Sequence, residues 1–78
     1  MIKSTILRTE INVYGYADEA EFRKTEENGV IRFDLYLKER WEDGHFTYPN
    51  YHHRRFKNAD EGNKIYMDYL KEGYKLVK

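Results

Sequence analysis

The most concentrated chemistry lies in residues 51–57, YHHRRFK, where two histidines and two arginines follow one another between aromatic residues. Imidazole exchanges protons near neutral pH, and guanidinium holds phosphate or carboxylate in a planar fork. A histidine, an arginine and a carboxylate together could perform acid–base cleavage of RNA. Here that set would be His53, Arg55 and either Asp34 or Glu21. The rest of the chain gives an enzyme little support. It has one serine, Ser4, and no cysteine, and it lacks a phosphate loop, a dinucleotide motif and a hydrolase elbow. A metal site fares no better. Adjacent residues on a strand point to opposite faces, so His52 and His53 do not readily chelate one ion. His45 and a distant carboxylate would have to complete the set, at no recognised spacing. The reading is therefore non-enzymatic, with no catalytic residue, no metal and no cofactor.

A binding surface is the better candidate. The stretch Val30–Trp41, VIRFDLYLKERW, alternates with a period of two. Ile31, Phe33, Leu35, Leu37 and Trp41 point one way, and Val30, Arg32, Asp34, Tyr36, Lys38 and Arg40 point the other. This is the pattern of a half-buried strand. The simplest register places Tyr51, His53 and Arg55 beside Arg32, Tyr36, Lys38 and Arg40, with Arg23 on the other flank. Tyr36 then lies next to Tyr51. Two tyrosines ringed by arginines form a flat cationic and aromatic platform. Such a platform suits an acidic loop of a protein partner. It also suits single-stranded nucleic acid, where stacking contributes about 1–3 kcal/mol per base. The plainer alternative is a solvated sheet face whose charged stems screen the backbone.

The elements that position these residues follow from turn and period signals. Asn28-Gly29 beside an alternating run predicts a two-residue hairpin with both residues at positive φ. Glu27 then faces Val30, Phe22 faces Leu35 on the core side, and Arg23 faces Asp34 on the outer side. Residues 20–27 are thus expected as a strand, although their composition also suits a helix. Lys24 and Glu26 fall on the core side, so this end projects past the covered area. An earlier strand is expected over about residues 5–16, with Gly15 at a bulge or close approach. Asp43-Gly44 predicts a second type I′ turn. It leads into a return strand over residues 45–57 that pairs Trp41 with Phe46 inward. Pro49 marks an edge or a bulge. Residues 58–72 change to a helical period, with Asn58 as N-cap, Gly62 close to the sheet and Gly73 past the end. Tyr74–Lys78 would add a short strand or fray.

The expected fold is α+β: one domain over residues 1–78, an antiparallel meander of about four strands with one C-terminal helix packed on one face. Phe33, Leu35, Leu37, Trp41, Phe46, Ile65, Tyr69 and Leu70 form the expected core. The helix covers one face, which leaves the other open for function.

Composition bounds the partner. Fourteen basic and fourteen acidic residues give a net charge of zero, which argues weakly against a general nucleic-acid binder. The charge is unevenly placed. Residues 17–28 hold five acids against two bases, and residues 29–57 hold six bases against four acids. Eight tyrosines exceed what a small core buries, so some should lie at a binding surface. No apolar run reaches membrane-spanning length, and no signal-peptide core follows Met1. The expectation is a cytoplasmic protein with a protein partner, nucleic acid as the alternative, and no membrane association. Cysteine-free, tyrosine-rich and highly charged domains of this size are typical of accessory proteins in phages and mobile elements, including inhibitors of host systems. RWEDGHF followed by a helix ending in YLKEGY also resembles the WGR domain, a sheet-plus-helix module that contacts nucleic acid. The Trp-Gly-Arg signature is absent, because Glu42 and Asp43 follow Trp41. That function is therefore not carried over.

Overall fold

Asn28 (φ 52°) and Gly29 (φ 77°) both occupy the left-handed region and close the central hairpin in two residues. The computed structural model describes residues Met1–Lys78. Its elements are β1 (Ile2–Arg8), β2 (Tyr16–Glu27), β3 (Val30–Trp41), β4 (Phe46–Thr47), β5 (His53–Phe56), α1 (Ala59–Lys71) and β6 (Lys75–Leu76). β2 and β3 pair along their whole length, from Glu27 opposite Val30 to Tyr16 opposite Trp41. Phe22 opposes Leu35 and Arg23 opposes Asp34, as the turn chemistry requires. The antiparallel sheet runs β4-β3-β2-β1-β6, and β5 joins the same edge of β3 as β4. A Cβ at Gly29 would meet nothing within 4 Å, so the constraint there is φ alone. Gly29→Val should therefore lower the denaturation midpoint more than Gly29→Asn, by about 1 kcal/mol of stability. Equal midpoints would contradict the left-handed turn.

Three expectations need correction. The first strand is Ile2–Arg8, and β2 already begins at Tyr16. Between them Asn12 folds the chain into a turn, its Oδ1 accepting from the amides of Tyr14 and Tyr16 at 2.9 and 3.3 Å. A side chain that satisfies the backbone this way competes with a ladder. Ile11, Val13 and Tyr14 are consequently exposed, and Gly15 lies in the turn against the Trp41 ring.

The second correction is the Asp43-Gly44 turn. Gly44 has φ 94°, but Asn28 is the only non-glycine residue at positive φ, so Asp43 does not form a type I′ turn. Trp41 donates its amide to the His45 carbonyl at 2.9 Å, which makes a three-residue loop. The extra residue shifts the pairing by one, so that Arg40 rather than Trp41 opposes Phe46. A one-residue shift moves side chains to the other face. Phe46 therefore leaves the expected core for the open face. Trp41 stacks on His45 and tilts against Tyr16, also outside the core. The third correction follows Pro49. Beyond it Tyr36 opposes His53, not Tyr51.

The core lies between the sheet and α1. Leu7, Ala20, Leu35 and Phe56 are buried at its centre. Phe22, Phe33, Leu37, Ile65, Tyr66, Tyr69, Leu70 and Tyr74 pack around them. α1 starts where Asn58 Oδ1 accepts from the Glu61 amide at 2.9 Å. Gly62 permits its close approach, since a Cβ there would stand 3.2 Å from Phe56 Cδ2. After the helix, Tyr74 stacks on Tyr69 with centroids 4.7 Å apart. Burial, with Asp18 and Tyr69 adding to it, pushes the Tyr74 phenol up to about 12. An unfolded tyrosine loses its proton near pH ~10. Between those values the unfolded chain binds fewer protons, so stability should fall as pH rises. A Tyr74→Phe variant should show a flatter decline of the denaturation midpoint across that alkaline range.

Candidate binding face

The face of the sheet away from α1 is built by alternate residues in register. β2 contributes Glu19, Glu21 and Arg23; β3 contributes Arg32, Asp34, Tyr36, Lys38 and Arg40; β5 contributes His53 and Arg55. Arg8 joins from β1, opposite Glu19, and Phe46 joins from β4. Glu19, Glu21 and Asp34 are buried although no helix covers them. Their cover is the ring of basic side chains above.

Each carboxylate anchors a cation. Arg8 donates to Glu19 at 2.6 and 3.0 Å, and Arg40 reaches the same carboxylate at 3.1 and 3.3 Å. Glu21 accepts from Ser4 at 2.7 Å and from Arg23 at 2.8 Å. Asp34 meets His53 Nε2 at 2.8 Å and Arg55 Nε at 3.2 Å. Burial alone would push these carboxyls up. For Glu19 the hydrogen bonds from Arg40 and Arg8 outweigh it, for Glu21 those from Arg23 and Ser4, and for Asp34 those from His53 and Arg55. All three end below the usual carboxylate range and stay ionised at neutral pH.

That balance carries an acid-stability prediction. A carboxyl with a depressed folded pKa contributes stability above its unfolded pKa, near ~4. The contribution disappears as pH falls through the lower folded value. The denaturation midpoint should therefore drop steeply below about pH 4.5. Glu19→Gln should be less stable at neutral pH and flatter in acid. Parallel acid profiles for the two proteins would show that Glu19 is not held this way.

Tyr36 sits at the centre. Its ring stacks on His53 with centroids 4.7 Å apart and an interplanar angle of 28°. On the β2 side the Arg23 guanidinium carbon lies 4.3 Å from the ring centroid. The two neighbours come from opposite flanking strands, so they bracket the ring between them. Tyr51, expected at its side, instead lies in the bend after Pro49 and is 89% exposed. His53 and Arg55 occupy the expected face, each two places further along β3 than the simple register put it.

Two basic residues remain uncommitted. Lys38 forms no ion pair and rests over the Phe46 ring at 4.7 Å. Arg32 has only a 3.8 Å contact with exposed Glu27. Between β1 and β5 this face bears six basic side chains, Arg8, Arg23, Arg32, Lys38, Arg40 and Arg55, against four carboxylates, Glu19, Glu21, Glu27 and Asp34. Sequence reasoning missed Glu19 as a member of this face. Extending the Glu27–Val30 register by eight residues would have placed it opposite Lys38.

No group of three or more histidine, aspartate or glutamate side chains is arranged to hold a metal ion. No helix is long and apolar enough to cross a membrane. No protein-family model matches the chain, and no curated protein or solved structure matches it either.

Proposed function

We propose that the chain is a non-enzymatic binding protein whose open sheet face engages an acidic segment of a protein partner. The observation that carries this reading is the cationic surplus held on a preorganised base. Arg8, Arg23, Arg40 and Arg55 are fixed by buried carboxylates, while Lys38 and Arg32 keep their charge available. Fixed side chains lose less conformational entropy on binding. Arginine and tyrosine are also the types most enriched among binding hot spots. The chain's lack of cysteine, eight tyrosines and dense balanced charge support placing it among accessory inhibitors of host systems carried by phages or mobile elements.

Single-stranded nucleic acid is the competing ligand for the same face. Base stacking needs a free aromatic surface. Tyr36 has Arg23 on one flank and His53 on the other, which weighs against it. Fluorescence anisotropy with a labelled Glu- and Tyr-containing peptide and a labelled oligothymidine of equal charge separates the two. The peptide should bind at least tenfold more tightly at moderate salt. Tighter oligonucleotide binding, weakening along a log–log line with salt, would reverse the assignment.

A second reading rests on one cluster. His53 and Arg55 both contact Asp34, the set named for acid–base cleavage of RNA. A histidine held by a carboxylate suits a general base. Cleavage also needs a general acid, and neighbouring Glu21 is held ionised by Arg23 and Ser4. Appearance of a 2′,3′-cyclic phosphate from a labelled RNA, abolished by His53→Ala, would establish that reading against ours.

A further inference from the structure

On the helix side of the sheet, a cleft of about 340 Å³ opens between α1 and β1, β2 and β3. Phe22, Phe33, Phe56 and Tyr66 line it, and so do the exposed lysines Lys3 and Lys24. The lysines are direct cross-strand partners, Lys3 on β1 opposite Lys24 on β2. Like charges placed directly opposite on one face of an antiparallel pair are destabilising. Arg8 opposes Glu19, Arg23 opposes Asp34, and Lys38 opposes Glu19. Two other like-charged pairs occur, Arg8 opposite Lys75 and Asp18 opposite Glu39, and the first is relieved by ion pairs to Glu19 and Glu10. Neither Lys3 nor Lys24 forms an ion pair. Glu26, the next residue along β2 on that face, pairs with Ile31 and bridges to neither lysine.

We propose that this cleft binds a small aromatic carboxylate. Its ring system lies among the four aromatic walls, and its carboxylate sits between Lys3 and Lys24. Each half of the site excludes a simpler ligand. An inorganic anion would leave the aromatic surface unused, and a neutral apolar molecule would leave two ammonium groups facing each other. The volume lies at the lower end for small-molecule sites, which suits a one- or two-ring acid. Its four aromatic walls and both lysines lie on the helix side of the sheet, although Arg23 and Asp34 of the open face also border the cleft.

The test titrates 2-naphthoate, and separately 2-naphthamide, into the isotope-labelled full chain and follows backbone amide shifts. The expected result is saturable shifts centred on Lys3, Phe22, Lys24 and Gly62, with the amide binding at least tenfold more weakly. Lys3→Gln combined with Lys24→Gln should weaken naphthoate at least tenfold, and Lys71→Gln on the far end of the helix should not. The exposed lysine replacements should leave the fold intact. Ala59→Phe, which fills the cleft, should also remove binding. The proposal is overturned by an absence of saturable shifts, by shifts that map to Tyr36 and its neighbours, or by equal binding of acid and amide.

Discussion

Leu35→Ala should lower the unfolding free energy by about 2–5 kcal/mol. Leu35 is 3% exposed and packs with Leu7, Ala20 and Phe56 at the centre of the only buried apolar cluster. It lies between Phe22 on β2 and Arg54 on β5, under the helix side chains Ile65 and Tyr69. Truncation removes buried methyl groups and leaves a hole that neighbours on a hydrogen-bonded sheet fill poorly. Small domains have a net stability of only about 5–15 kcal/mol, so the loss is a large fraction of the total. Urea denaturation followed by the fluorescence of Trp41 should show a much lower midpoint with a similar slope. An unchanged midpoint would mean that residue 35 is not in the core and that β3 is misphased.

The second large effect concerns binding. Arg32→Glu together with Lys38→Glu should weaken the partner complex by about thirtyfold or more, the level expected when a hot-spot contact is lost. These two residues give the cleanest test, because neither donates a hydrogen bond to a buried carboxylate, although Lys38 lies opposite Glu19 and its charge helps keep Glu21 ionised. A change at exposed Arg32 usually alters stability by less than about 0.5 kcal/mol, whereas Lys38→Glu sets a carboxylate opposite buried Glu19 and costs some stability, so Lys38→Gln is measured beside it. Arg40, Arg23 and Arg55 would not serve, since removing any of them exposes or strands Glu19, Glu21 or Asp34. Tyr36→Ala would mix the two effects, because its ring also supports Arg23 and His53. Isothermal titration paired with thermal denaturation separates affinity from folding. Full affinity in the doubly reversed protein would remove the open face from consideration.

The parts of this fold that were legible in the sequence are those set by local chemistry. Asn28-Gly29 demands a two-residue turn, and the turn alone fixes the pairing of Phe22 with Leu35 and Arg23 with Asp34. Asn58 and the change of period define α1 in the same way. The first strand is harder to place, because Ile11, Val13 and Tyr14 have strand-like composition yet lie between β1 and β2. Their composition does not reveal that Asn12 will satisfy the backbone with its own side chain. The edge strands depended on counting through two irregular connections. One additional residue in the loop at Gly44 turned Phe46 to the other face. The passage through Pro49 then moves the register by three the other way, which leaves His53 and Arg55 two places beyond the simple pairing.

The same error hid the character of the candidate face. A platform of two neighbouring tyrosines was expected, and the register instead gives one tyrosine enclosed by an arginine and a histidine. The alternation of the central strand holds in the structure, so Arg32, Tyr36, Lys38 and Arg40 share a face. Glu19 and Glu21 were also within reach, because the hairpin register extends to them without a break. Burial of their carboxylates was not legible. It depends on how long arginine side chains fold back across neighbouring strands, which pattern alone does not specify.

The most direct measurement of the central claim is quantitative affinity capture from an extract of the organism that encodes the chain, comparing three proteins. One is the unaltered chain, one carries Arg32→Glu and Lys38→Glu, and one carries Lys64→Glu and Lys71→Glu on the outer side of α1. The account predicts that one set of partner proteins is retained by the unaltered chain and by the helix variant and is lost from the open-face variant. Retention by the open-face variant, with loss from the helix variant, would contradict it and move the binding surface to α1.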